Sequence, residues 1–305
     1  MGTLVAAKTF TMRTLGLLAT FLFGCGTDIQ TGGDDTTAPD AGSSGGYQML
    51  MSGTWTLPPA SENYLCVRKT VDEDLYIKSI RPISPLGTHH TVLMLGAVDQ
   101  PDGTVDCNSA LTKPAIYASG VGTQPIDMPD GIAVHLKKGQ QLLLNLHLFN
   151  TDEDASLSGV SGMEIIPSDP VDPAHSAGVV LAGKTAGLQV DPVTPPSSTT
   201  QTGTCTTGAG STVFAMAPHM HLLGSHMRVS YGTTMLMDRD YAFDEQRFEM
   251  LQPPLVTAAG GKVNVECTYE NYTGHVVGFG ESTTQEMCFA MSYVYPAPTQ
   301  DICTN

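Results

Sequence analysis

An all-β fold is predicted by three features of this chain: sparse charge, abundant turn formers and a cadence of short apolar runs. Charged residues make up only 14% of the 305, while there are 32 glycines and 20 prolines. Long surface helices need dense charge; short strands joined by tight turns need Gly and Pro. The runs are Leu75 to Ile80, Thr91 to Leu95, Ile132 to Leu136, Gln141 to Phe149, Gly178 to Leu181, Thr212 to Met216, His226 to Tyr231, Lys262 to Tyr269 and Glu286 to Tyr295. That is the rhythm of β-sandwiches. One core rarely serves a chain of this length, so two antiparallel domains in tandem are expected. The formal net charge of -16 excludes nucleic acid as a natural partner.

Taken in order, residues 1–25 carry Lys8 and Arg13, then the apolar run Leu15 to Phe23, and end Leu22-Phe23-Gly24-Cys25. This pattern predicts a lipoprotein-type signal peptide with Cys25 as the lipidated residue. The run is too short to span a bilayer. The expectation is an exported monomer: a periplasmic or cell-surface lipoprotein of a bacterium, touching membrane only through that anchor, or a secreted protein where the anchor is not used. Residues 26–46 are Gly, Asp, Thr, Ser and Ala with almost nothing apolar to bury, so they read as a disordered tether. Folded structure is expected from Tyr47. Pro167, Pro170 and Pro173, with Asp169 and Asp172 between them, place a domain boundary there, giving domains 47–170 and 171–305. Pro192 to Gly203 reads as a long loop within the second. Besides Cys25 there are six cysteines, Cys66, Cys107, Cys205, Cys267, Cys288 and Cys303, which in an exported chain predict three disulfides of open connectivity.

The chemistry lies in the histidines. On an extended strand side chains alternate, so His219 and His221 of Ala217-Pro218-His219-Met220-His221 would face one side and Met220 the other. Such a pair alone is often metal-free. A thioether from Met287 would complete a soft set favouring cuprous copper over zinc or calcium. Neighbouring His89 and His90 could meet at one ion only where the backbone bends, and Gly87 permits that kink. In Leu144-Asn145-Leu146-His147-Leu148-Phe149 the leucines share one face, which leaves His147 on the other beside Asn145. Three imidazoles suit copper or zinc. His135, His175, His226 and His275 are expected to be structural or solvated.

The series Tyr64-Leu65-Cys66, His89-His90, the strand ending in His147, His219-Met220-His221-Leu222-Leu223-Gly224, Cys267-Thr268-Tyr269 and Glu286-Met287-Cys288 resembles, in order and spacing, the copper type II ascorbate-dependent monooxygenases. That resemblance spans Tyr47 to Asn305. It implies two β-sandwich (jelly-roll-like) domains with a copper ion on each, facing across a cleft. It assigns His89, His90 and His147 to an electron-storing copper, and His219, His221 and Met287 to the copper at which dioxygen is activated. It also implies the pairs Cys66–Cys107, Cys267–Cys288 and Cys205–Cys303. The activity implied is hydroxylation of an aliphatic or benzylic carbon, with ascorbate or a similar reductant as co-substrate. The competing reading is a copper-binding or storage lipoprotein without turnover.

One departure bears on substrate. Peptidylglycine members of the family hold a carboxylate with an arginine two residues before the His-x-His pair, and with an asparagine and a tyrosine just after Met-Cys. This chain has Ala217, Phe289 and Met291 there. Burying a carboxylate unpaired costs on the order of several kcal/mol, so a small, hydrophobic substrate is expected instead.

Overall fold

The computed structural model describes residues 45–304 except 98–99, 108–114, 121–122, 209, 244, 281, 283 and 300–301. The leader with Cys25, and the tether up to residue 44, lie outside the described residues.

Among the described residues the regular structure is strand apart from one short 3-10 turn. The first half holds β1 (Gln48–Leu57), β2 (Ser61–Thr70), β3 (Leu75–Ile83), β4 (Thr88–Leu95), β5 (Gly103–Asp106), β6 (Ala115–Ser119), β7 (Ile126–Asp127), β8 (Ala133–Leu136), β9 (Gln141–Asn150) and β10 (Leu157–Pro167). A short 3-10 turn, Pro173–His175, leads into β11 (Ser176–Lys184), β12 (Gln189–Val190), β13 (Thr199–Thr206), β14 (Thr212–His219), β15 (Gly224–Tyr231) and β16 (Thr234–Asp240). β17 (Glu249–Val256), β18 (Lys262–Tyr269), β19 (Val277–Gly278), β20 (Cys288–Tyr295) and β21 (Ile302–Thr304) complete it. Every predicted run overlaps a strand. Among the described residues no helix is long and apolar enough to cross a membrane.

A ten-stranded sheet has the path β1-β10-β3-β8-β11-β20-β14-β17, with β7 on β3 and β21 on β11. Its halves join where β11 lies parallel to β8, Ser176 opposite Ala133 and Ala177 opposite Val134. The sheet therefore runs past the proline-rich stretch without a break. A five-stranded sheet, β5-β2-β9-β4-β6, forms in the first half and a four-stranded one, β13-β18-β15-β16, in the second.

β9 shows how the sequence builds a layer. Leu142, Leu144, Leu146 and Leu148 alternate into the core and are essentially inaccessible, each stabilising by about 1.5–3 kcal/mol. Asn145 and His147 occupy the opposite face. One apolar cluster includes these leucines together with Ala217, Met287, Phe289, Met291 and Tyr293 of the second half. A second is built from second-half residues such as Met220, Met227, Val265 and Tyr269. Close approach between layers needs glycine at Gly203, where a Cβ would lie 2.2 Å from the Gly183 carbonyl carbon.

The predicted loop Pro192 to Gly203 is shorter than expected. From Thr199 the chain pairs with β18, and the Thr200 and Thr268 hydroxyls meet at 3.0 Å. β-branched threonines fit a pleated edge, so the prolines end before the ladder starts. Three disulfides form, Cys66–Cys107, Cys205–Cys303 and Cys267–Cys288, which suits an oxidising compartment.

Candidate metal centres

The first histidine group is made by a bulge. In the β4–β9 ladder Thr88 pairs with Leu148 and His90 with His147, leaving His89 as the extra residue. A bulge re-aims a side chain, so neighbours that would face opposite sides come to one point. The turn before it requires Gly87: its φ is +94°, and a Cβ would lie 2.6 Å from Leu157 and 2.7 Å from Trp55. The three Nδ1 atoms stand 3.2 Å (His89–His90), 2.9 Å (His89–His147) and 3.3 Å (His90–His147) apart. The Nε2–H of His147 donates to Glu62 Oε1, and the Tyr64 ring stacks on its imidazole at 4.3 Å and 6°. That hydrogen bond leaves a lone pair on His147 Nδ1, aimed at two other ring nitrogens. A cation at the centre of such a triangle, about 2 Å from each nitrogen, relieves the repulsion.

The second group forms where β14 ends. His219 is the last residue of that strand, whereas His221 lies in the turn beyond, so strand alternation does not bring them together. Their rings stand 5.5 Å apart at 89°, and Met220 is buried in the second core. His219 Nε2 is 3.2 Å from Met287 Sδ. Its Nδ1–H donates to Gln246 Oε1 at 2.6 Å, and that of His221 donates to the Gln285 carbonyl at 2.9 Å. The Nε2 of His219 is thus left unprotonated, as ligation requires. The His219 imidazole and the Met287 thioether are neighbouring donors of a type suited to copper, with the His221 ring 5.5 Å from that of His219.

Glu286 orders this turn. Its fully buried carboxylate accepts the backbone N–H groups of His221 (2.9 Å), Leu223 (2.8 Å) and Met287 (3.3 Å). Tyr269 donates its hydroxyl to the Met287 carbonyl at 2.7 Å, and the Cys267–Cys288 disulfide ties down the next residue. Glu62, two residues before Tyr64 and on the same strand face, was legible as a neighbour of His147 only once the β2–β9 register was known. Gln246 carries no sequence signal. Of the other histidines, His135 stacks on Tyr76, His175 bonds to Asp172, His226 lies between Asp238 and Asp240, and His275 is exposed.

Burial holds these imidazoles neutral. It takes His89 down to about 4, helped by His147, and His219 down to about 4, helped by His221. His90, His147 and His221 are lowered for the same reason. A folded value below the unfolded 6.5 means that the unfolded chain takes up protons first. The metal-free chain should therefore lose stability as pH falls from about 6.5 towards 4. Glu286, pushed up to about 7 by burial, acts in the opposite sense, but one group is set against five. Melting curves of chelator-treated chain at pH 7 and pH 5 check this; equal midpoints would contradict it.

Fold and side chains together define an all-β protein with clustered imidazole and thioether donors of the kind that hold copper. Residues 175–305 match the domain family described as copper type II ascorbate-dependent monooxygenase, C-terminal domain. Among curated proteins the chain is similar to DBH-like monooxygenase protein 1 of Mus musculus, 26% identical over 68% of this chain and 36% of that protein. It is also similar to peptidyl-glycine alpha-amidating monooxygenase A of Xenopus laevis, 25% identical over 76% of this chain and 26% of that protein. The chain is thus similar to the copper type II ascorbate-dependent monooxygenases, most directly over residues 175–305. The matched part spans about a third or less of the length of these relatives.

Proposed function

We propose that this chain is a copper-dependent monooxygenase that hydroxylates an aliphatic or benzylic carbon of a small hydrophobic substrate, using dioxygen and a reductant such as ascorbate. In this reading residues 47–170 and 171–305 act as two β-sandwich units, one holding copper on His89, His90 and His147, the other on His219, His221 and Met287. The observation that carries it is the pair of unlike donor groups: three Nδ1 atoms converging in one place, and Nε2 of His219 beside Met287 Sδ in another. Copper held on these residues would supply the redox chemistry that zinc cannot. The protein's part is to fix tautomers through Glu62, Gln246 and the Gln285 carbonyl, and to keep the imidazoles neutral by burial.

The substrate reading rests on the aromatic side chains near the second group, the buried Phe289 and the exposed Phe279. Phe289 lies 6.5 Å from the His219 ring, and the partly exposed Phe279 meets Phe289 edge-on at 6.1 Å. Ala217 and Met291 are buried in the core cluster that spans both halves, so they offer a carboxylate no partner.

Copper-loaded chain given ascorbate and labelled dioxygen should place label in hydrophobic amines or alcohols from a small-molecule extract, and His219→Ala should remove that incorporation. Oxygen uptake no greater than that of free copper would refute the enzyme. A peptide ending in glycine is expected to turn over at least about tenfold less well than a hydrophobic substrate, because its carboxylate finds no partner; comparable rates would refute the substrate class.

A further inference from the structure

The connection between β16 and β17 touches both donor groups. Phe243 stacks on the His89 ring at 5.0 Å and 28°, and meets the His221 ring edge-on at 6.5 Å. One phenyl ring thus spans the gap between an imidazole of each group. Nearby, Gln246 accepts from His219 Nδ1–H while its Nε2 donates to the Phe243 carbonyl at 2.9 Å. The Gln246 carbonyl in turn accepts from the Thr123 hydroxyl of the first half at 3.3 Å. Phe248 anchors the far end, packing against Tyr117 at 6.3 Å and Tyr293 at 5.0 Å. The connection is therefore held from both halves.

We infer that Phe243 is a positioning residue for the three-histidine group, supplied by the other half of the chain. His89 is the ligand most in need of support, since it sits in the bulge and has no partner in the β4–β9 ladder. Glu62 and Tyr64 fix His147, but the contact on the His89 ring face comes from Phe243. A flat ring there restricts rotation of the imidazole and displaces water from the gap. Both effects favour the singly charged cuprous ion over the cupric, because a drier shell penalises the higher charge more. The same ring touches His221, so positioning of one group is sensitive to the other.

This inference rests on the functional reading above, and cuprous ion is the probe that separates the two. Full-length chain is titrated with a cuprous chelator in the absence of oxygen, and X-ray absorption follows the sulfur-containing and nitrogen-only sites separately. Phe243→Ala should weaken the nitrogen-only site on the order of tenfold, alter its cupric electron-spin resonance spectrum, and be restored by Phe243→Tyr. Phe243→Leu, which keeps the volume without the flat face, should lose affinity several-fold and serves if the alanine variant does not fold. An unchanged nitrogen-only site, a loss confined to the sulfur-containing site, or a loss that tyrosine does not restore would overturn the inference. A chain that takes up no copper would overturn the functional reading as well.

Discussion

Met287→Leu is expected to lower turnover by roughly a hundredfold or more while leaving the protein folded. Partners that only orient a metal ligand are worth about 10–100-fold, so loss of a ligand should cost at least that. Leucine is chosen because Met287 is 2% exposed and belongs to the apolar cluster that joins the halves. Truncation to alanine would open a cavity costing about 2–5 kcal/mol, whereas an exchange of methionine for leucine costs less than about 1.5 kcal/mol. Packing is then retained and only the sulfur is lost. The measurements are bound copper per chain, the copper–sulfur signal in X-ray absorption, and labelled product formed. Copper at the three-histidine group should survive, since its three nitrogens lie on β4 and β9. Turnover within a few-fold of the unsubstituted chain would remove Met287 from the proposed site.

The strands were legible because they obey a period of two, and β9 is the clearest case. Its leucines and its Asn145–His147 face could be assigned from the sequence, and the structure buries the leucines as that alternation requires. The convergence of His89 and His90 was half legible. Gly87 announced a kink, but the extra residue in the ladder depends on the partner strand, which local sequence does not specify. The expectation for His221 failed in its reason: it is brought near His219 by a turn and not by strand alternation. Continuity of the large sheet rests on two pairs, Ser176 with Ala133 and Ala177 with Val134. So short a parallel contact leaves no periodic signal, and the proline-rich stretch beside it points the other way. Glu62, Gln246 and Phe243 act across the fold on residues far off in sequence, so their partners follow only from topology.

Glu286→Ala should be among the most destabilising single changes in the chain. The carboxylate is fully buried and is the acceptor for three backbone N–H groups in the turn that carries His221 and Met287. Alanine leaves those donors stranded away from water at about 1–3 kcal/mol each, a large share of the roughly 5–15 kcal/mol that keeps a domain folded. A fall in melting temperature of about 5–15 °C is expected. Glu286→Gln is the informative companion. Its carbonyl oxygen can still accept, but its amide must point N–H groups at a backbone donor, so one or two of the three bonds are lost and the cost is about 1–3 kcal/mol. Because either orientation of the amide frees a backbone N–H of the turn that carries His221, either that of Leu223 or those of His221 and Met287, the glutamine variant should weaken copper at the second group while the nitrogen-only group keeps its affinity. Equal melting temperatures for Glu286→Ala and the unsubstituted chain would show that those backbone groups are satisfied elsewhere. Equal losses at both donor groups in Glu286→Gln would show that the carboxylate supports the fold at large, with no particular hold on the turn between His219 and Gly224.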